Sequence, residues 1–188
     1  MKLFPLGRAS LAAMALTAAL AAAAPAGPAA EVEAAYLATI TARAEKIVVS
    51  LAIADSAKAI RVRDIIARQY RDLRDVQEAR DAQIKAAKAG MADKAALDAA
   101  TKSARAEADV KVGTLHPAFL ARLGAELDTG QIEQVKDGMT FGVLPLTFRV
   151  YQEMLPKLTA EQKAQIHAWL VEAREHAMDG FSSEEKHA

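Results

Sequence analysis

Four imidazoles, at His116, His167, His176 and His187, are the side chains here best suited to ligate a metal or carry a proton near neutral pH. His176 follows Glu172 by one helical turn, sits beside Glu175 and precedes Asp179 by three residues. Glu172 with His176, or His176 with Asp179, has the spacing to share a cation, so these three are the metal-ligand candidates. No two imidazoles stand at helical ligand spacing, and there is no cysteine, so no four-ligand zinc site is preformed. The expectation is a solvated helix edge with no metal and no cofactor. Carboxylate pairs at Glu172/Glu175 and Glu184/Glu185 raise glycoside hydrolysis, which needs two acids roughly 5–9.5 Å apart across a bound sugar. A helix surface supplies no such cleft. Ser182-Ser183 lacks the glycine elbow of a serine nucleophile, and no phosphate-cradling glycine loop is present. No catalytic or cofactor-binding residue is therefore assigned.

A second kind of chemistry is recognition. Aromatic and methionine density peaks over Gly138–Pro145 and just beyond it, making Met139, Phe141, Phe148 and Tyr151 the candidate binding surface. The competing expectation is that these side chains close one end of a helical bundle. Trp169, by its helical position, is expected to be buried beneath the second helix.

The elements that hold these residues read as helices. Tyr36, Ile40, Ile47, Val48 and Leu51 give Glu31–Leu51 a helical period. From Asp55 to about Ala89, Val62, Ile65, Ile66, Leu73, Val76 and Ile84 form a stripe continued by Gln69 and Arg80. Opposite it run charge pairs at four-residue spacing, among them Arg68 with Asp72 and Arg74 with Glu78. Met91 to about Lys111 is a polar, alanine-rich third helix. Pro117 is placed to open a short fourth one carrying Phe119, Leu120, Leu123 and Leu127. Thr129–Asp137 is another short helix, and Gly138–Pro145 reads as a loop or extended piece. Leu146–Leu155 and Thr159–Asp179 complete the set, the last with Ile166, Trp169, Leu170, Ala173 and Ala177 inward. Asp128 with Gln131, and Thr159 with Gln162, have the spacing of capping boxes, and Leu127 with Ile132 that of a hydrophobic staple. The fold class is all-α: a bundle or hairpin of two or three long helices plus short ones, in a single domain over 31–188.

Residues 1–30 read as a signal peptide: basic Lys2 and Arg8, an uncharged apolar run from Ala9 to Ala24, then small residues to Ala30. The run is too short and alanine-rich for a stable membrane span. Of 24 basic and 24 acidic residues the leader removes two bases, leaving 22 against 24 and a net charge of −2. That balance excludes non-specific nucleic-acid binding. Without cysteine, an exported chain must draw its stability from apolar burial rather than disulfides.

Leu158-Thr159-Ala160-Glu161-Gln162, ahead of an amphipathic helix in a small signal-bearing protein, resembles the LTxxQ-motif periplasmic proteins. That resemblance implies stress-induced chaperones with a cradle-shaped helical dimer, or metal-responsive sensors. Four longer stretches are Arg43–Val48, Val62–Tyr70, Val135–Phe141 and Leu158–Trp169, the last extended by Glu172–Glu175, Ala177–Asp179 and Ser182-Ser183. Together these resemble an uncharacterised family of exported bacterial proteins, domain of unknown function 3826. The resemblance brings no known catalytic or binding residue. It also implies an aromatic and basic tail beyond Lys186-His187, so a chain stopping at Ala188 is expected either to be truncated there or to have lost that tail. The expected function is an exported, periplasmic or secreted, non-enzymatic binding or accessory protein, chaperone-like in character. The alternative is an enzyme or sugar-binding component of extracytoplasmic carbohydrate processing. A protein or glycan partner is expected, with self-association as a homodimer compatible with long exposed helices.

Overall fold

The computed structural model describes residues 27–180, and among these it contains six α-helices and no strand. Residues 1–26, most of the stretch expected to be a signal peptide, lie outside the described residues, as do Ser182-Ser183, Glu184-Glu185 and His187. Helix α1 (Pro28–Ser50) begins with proline at its first position, where a missing N–H costs nothing. Its buried side chains, Ile40, Ala44, Ile47 and Val48, keep the three- and four-residue rhythm of one helical face. Helix α2 (Ser56–Gly90) is capped by Asp55, whose carboxylate accepts from the amides of Ala57 and Lys58. It buries Val62, Ile66, Gln69 and Leu73. Two of the expected surface pairs close, Arg68 with Asp72 at 3.5 Å and Arg74 with Glu78 at 3.6 Å. Arg74 also binds Glu33 of α1 and lies 4.0 Å over the Tyr36 ring, while the Tyr36 hydroxyl donates to the Tyr70 carbonyl. Polar side chains thus fasten the open end of the α1–α2 pair.

Helix α3 (Lys94–Gly124) corrects one expectation. Pro117 does not start a new helix; it sits inside a continuous one. The ring removes one amide and would crowd the carbonyl four residues back, which here belongs to Gly113. Pro117 and Gly113 are both exposed, so the orphaned carbonyl stays open to solvent and the helix runs on. Toward the α2–α3 turn the buried side chains of α3 are alanines, Ala104 and Ala108, as a thin apolar seam requires. Phe119 and Leu123 then enter the main core.

Helix α4 (Thr129–Met139) has the expected Asp128/Gln131 capping box, with Leu127 buried and Ile132 packed against the core. A second correction follows, because Gly138–Pro145 is mostly helical. Gly138 lies within α4, where a Cβ would stand 2.8 Å from Cγ1 of Ile47, so this glycine permits close approach to α1. Helix α5 (Val143–Met154) starts straight after the turn, and Pro145 falls in its first turn, where no amide partner is needed. Helix α6 (Ala160–Asp179) opens on the Thr159/Gln162 capping box. One core joins Ala44, Ile47, Val48 and Leu51 to Val62, Ile66, Phe119, Leu123, Leu127, Val135, Met139 and Met178. Each such large side chain contributes roughly 1.5–3 kcal/mol on burial. No described helix is long and apolar enough to cross a membrane.

Candidate functional site

The face that α6 turns inward is only partly the expected one: Ile166, Leu170 and Ala177 are half-buried, but the most buried stripe lies elsewhere. Arg174 and Met178 are buried, whereas Ala173 is exposed and Trp169 is 60% exposed. Expected burial of Trp169 beneath α2 is therefore corrected: α6 packs against α5 and α4, and the indole faces outward. The cause is Arg174, four residues before Met178 on the same face, which satisfies carboxylates from α4 and so occupies the inner stripe.

Around Arg174 the structure assembles a polar junction that no local spacing announced. The guanidinium of Arg174, only 4% exposed, donates to Asp137 at 2.7 Å and Glu175 at 3.0 Å, and also to Glu133. Lys136 adds contacts of 3.0 Å to Glu133 and 3.1 Å to Glu175. On the far side, His116 of α3 places Nε2 3.4 Å from Glu175 and Nδ1 2.9 Å from Asp179. The Nδ1 contact is off the hydrogen-bond direction and leaves that nitrogen and Asp179 Oδ1 without a hydrogen-bonded partner. It is a close Coulombic contact rather than a well-formed hydrogen bond. Burial opposes the Arg174 charge, but its hydrogen bonds to Asp137, Glu133 and Glu175 outweigh it and hold the guanidinium protonated. Burial also works against the Glu133 carboxylate, yet Arg174 and Lys136 pull it below its ordinary value of 4.5. For Asp179 burial wins over His116, and its carboxyl titrates above the usual range.

The sequence candidates divide across this arrangement. Asp179 turns to His116, while Glu172 and His176 are exposed. Among the described residues no group of three His, Asp or Glu side chains is placed to hold a metal ion. Glu175 is engaged by Arg174, Lys136 and His116, so it and exposed Glu172 do not face each other across a cleft. With its charges answering one another, the junction works as a clamp joining α3, α4 and α6.

Of the four recognition candidates, Met139 is buried in the core. Phe148 is half-buried, edge-on to His167 at 5.1 Å between ring centroids. Tyr151 and Phe141 are exposed, Phe141 to 75%. Phe141 occupies the left-handed position after α4, where Gly142 N–H bonds Asp137 O at 2.7 Å in a Schellman turn. A non-glycine residue there carries strain of order 1 kcal/mol, a feature that collects at functional positions. Sequence reasoning noted the methionine density that includes Met154 but missed Leu146 and Val150 as its partners. Leu146, Val150 and Met154 rise at four-residue spacing along α5, and all three are exposed, Met154 to 72%. The signal was present in that spacing, within the helix expected over Leu146–Leu155.

A family profile described as Protein of unknown function (DUF3826) matches residues 37–188. This protein belongs to the DUF3826 family. The match begins in α1 and takes in every later helix, so the core, the polar junction and the α5 surface all lie within the DUF3826 region. No curated protein matches the chain. The Leu158–Gln162 motif has a local explanation in this DUF3826 chain: Thr159 and Gln162 are the two halves of the α6 capping box.

Proposed function

We propose that this DUF3826 protein is an exported, non-enzymatic accessory protein that binds other polypeptides in a chaperone-like manner. Its contact surface is the apolar face of α5 together with Trp169. The observation that carries the reading is the exposure of Leu146, Val150, Tyr151, Met154 and Trp169 on two adjacent helices. Exposed apolar groups on a small domain are favourable to cover, and a set that includes flexible methionine and flat aromatics suits unlike partners. The charged groups around Arg174 are engaged with one another, which supports binding over turnover. Export is supported by the charge and apolar pattern of residues 1–30.

The test is light scattering of a heat-unfolding client enzyme in the presence of protein purified from exporting cells. Wild type should suppress client aggregation without added cofactor. Trp169→Ser with Tyr151→Ser should lose most of that suppression at unchanged melting temperature, since both residues are exposed. Suppression equal in wild type and variant, or absent in wild type, would refute the reading.

A further inference from the structure

The exposed ridge of α5 has a property that reaches beyond a general sticky face: it is complementary to itself. Leu146, Val150 and Met154 stand at i, i+4 and i+8, the row that interdigitates when two helices pack ridge into groove. Laid antiparallel about a two-fold axis at Val150, the row pairs Leu146 with Met154 of the copy and Val150 with itself. One flank of the ridge carries Arg149 and Glu153, both 68% exposed and loosely paired within the helix at 3.8 Å. Antiparallel helices present the same flank to each other in reverse order, so Arg149 meets Glu153 of the copy, and the reciprocal contact forms automatically.

We propose that two copies of this chain associate through antiparallel packing of α5 across a two-fold axis beside Val150. The inference rests on the reading of α5 as the contact surface, and it names a second copy as the occupant of the ridge. Charge selects that occupant. One cation and one anion on the flank match neither an anionic bilayer nor a partner of single charge, but they match their own inverse. The helix is about 18 Å long at 1.5 Å per residue, which keeps the interface at the small end of specific contacts. A reversible dimer of micromolar affinity is the consequence.

Sedimentation velocity from nanomolar to high micromolar concentration reads the equilibrium directly. Wild type should move from monomer to dimer across that range, and Val150→Asp should remain monomeric with its helical content intact. Arg149→Glu alone, or Glu153→Arg alone, should weaken association about tenfold, because each sets like charges together at two symmetric contacts. The double swap Arg149→Glu/Glu153→Arg should return the affinity to within about twofold of wild type. A wild type that stays monomeric throughout, or a double swap no better than the singles, overturns the proposal. Binding of the monomer to vesicles of anionic phospholipid, abolished by Val150→Asp without any dimer, would assign the ridge to a lipid surface and overturn it equally. A monomer that still suppresses client aggregation would sink the dimer while leaving the binding function standing. A dimer with no such suppression would do the reverse.

Discussion

Arg174→Met is the sharpest probe of the clamp between α3, α4 and α6. Methionine keeps much of the length and volume of the side chain but withdraws the charge that answers Glu133, Asp137 and Glu175. Breaking a buried ion pair by removing one partner typically costs about 3–5 kcal/mol, because the remaining charge stays buried and unanswered. Here that figure is reduced. The carboxylates keep 28–42% of their side-chain exposure, and Lys136 still serves Glu133 and Glu175. A loss of about 2 kcal/mol at pH 7 is expected, which for a chain of this size lowers the melting temperature by about 4–8 °C. The pH dependence supplies an independent check. Glu133 titrates below 4.5 when folded, so its stabilisation is complete above that value and disappears as pH falls through its folded pKa. The gap between wild type and variant must therefore narrow in acid. Urea unfolding followed by far-ultraviolet circular dichroism at pH 7 and at about pH 3 measures both quantities. A loss under about 0.5 kcal/mol at pH 7, or one of equal size at both pH values, would refute the account of the junction.

Substitutions at four further sites test the local arguments by the same unfolding measurement. Thr159→Ala and Asp128→Ala should each cost about 1 kcal/mol by removing the acceptor at a helix start, and Ser in place of Thr159 should recover most of it. Gly138→Ala should destabilise by about 1–3 kcal/mol, since its methyl would meet Ile47 at 2.8 Å. Pro117→Ala should raise stability by about 1 kcal/mol by restoring an N–H that donates to the Gly113 carbonyl; a loss instead would mean that the proline does more than interrupt α3.

Much of the scaffold was legible because helices declare themselves over short distances. The four-residue rhythm of Val62, Ile66 and Leu73 and the reciprocal Asp128/Gln131 and Thr159/Gln162 caps need no distant partner to be read. Local punctuation misled where a residue had a second use. Pro117 was tolerable because the Gly113 carbonyl behind it is open to solvent, and Gly138 served packing rather than breakage. The clamp was illegible for a different reason: His116, Glu133, Asp137, Arg174 and Asp179 come from three helices and have no common spacing. One clue existed, in that Arg174 shares its helical face with Met178 and a charge so placed requires buried partners. Trp169 was misassigned because its periodicity fits two faces of α6, and only the choice of α4 and α5 as neighbours decides between them.

The hairpin of α2 and α3 has a consequence for how the molecule breathes. With 35 residues, α2 is about 50 Å long, and its aliphatic anchors lie in the half nearer α1. Toward the tip, Ala86, Ala87, Ala100 and Ala104 line an open groove, where each contact forgoes most of the dispersion energy a leucine would supply. Amide exchange should accordingly grade along the two helices, fastest near Gly90 and slowest around Ile66 and Leu123. Unzipping can then begin at the tip and stop at the first aliphatic layer, leaving the remainder of the protein folded.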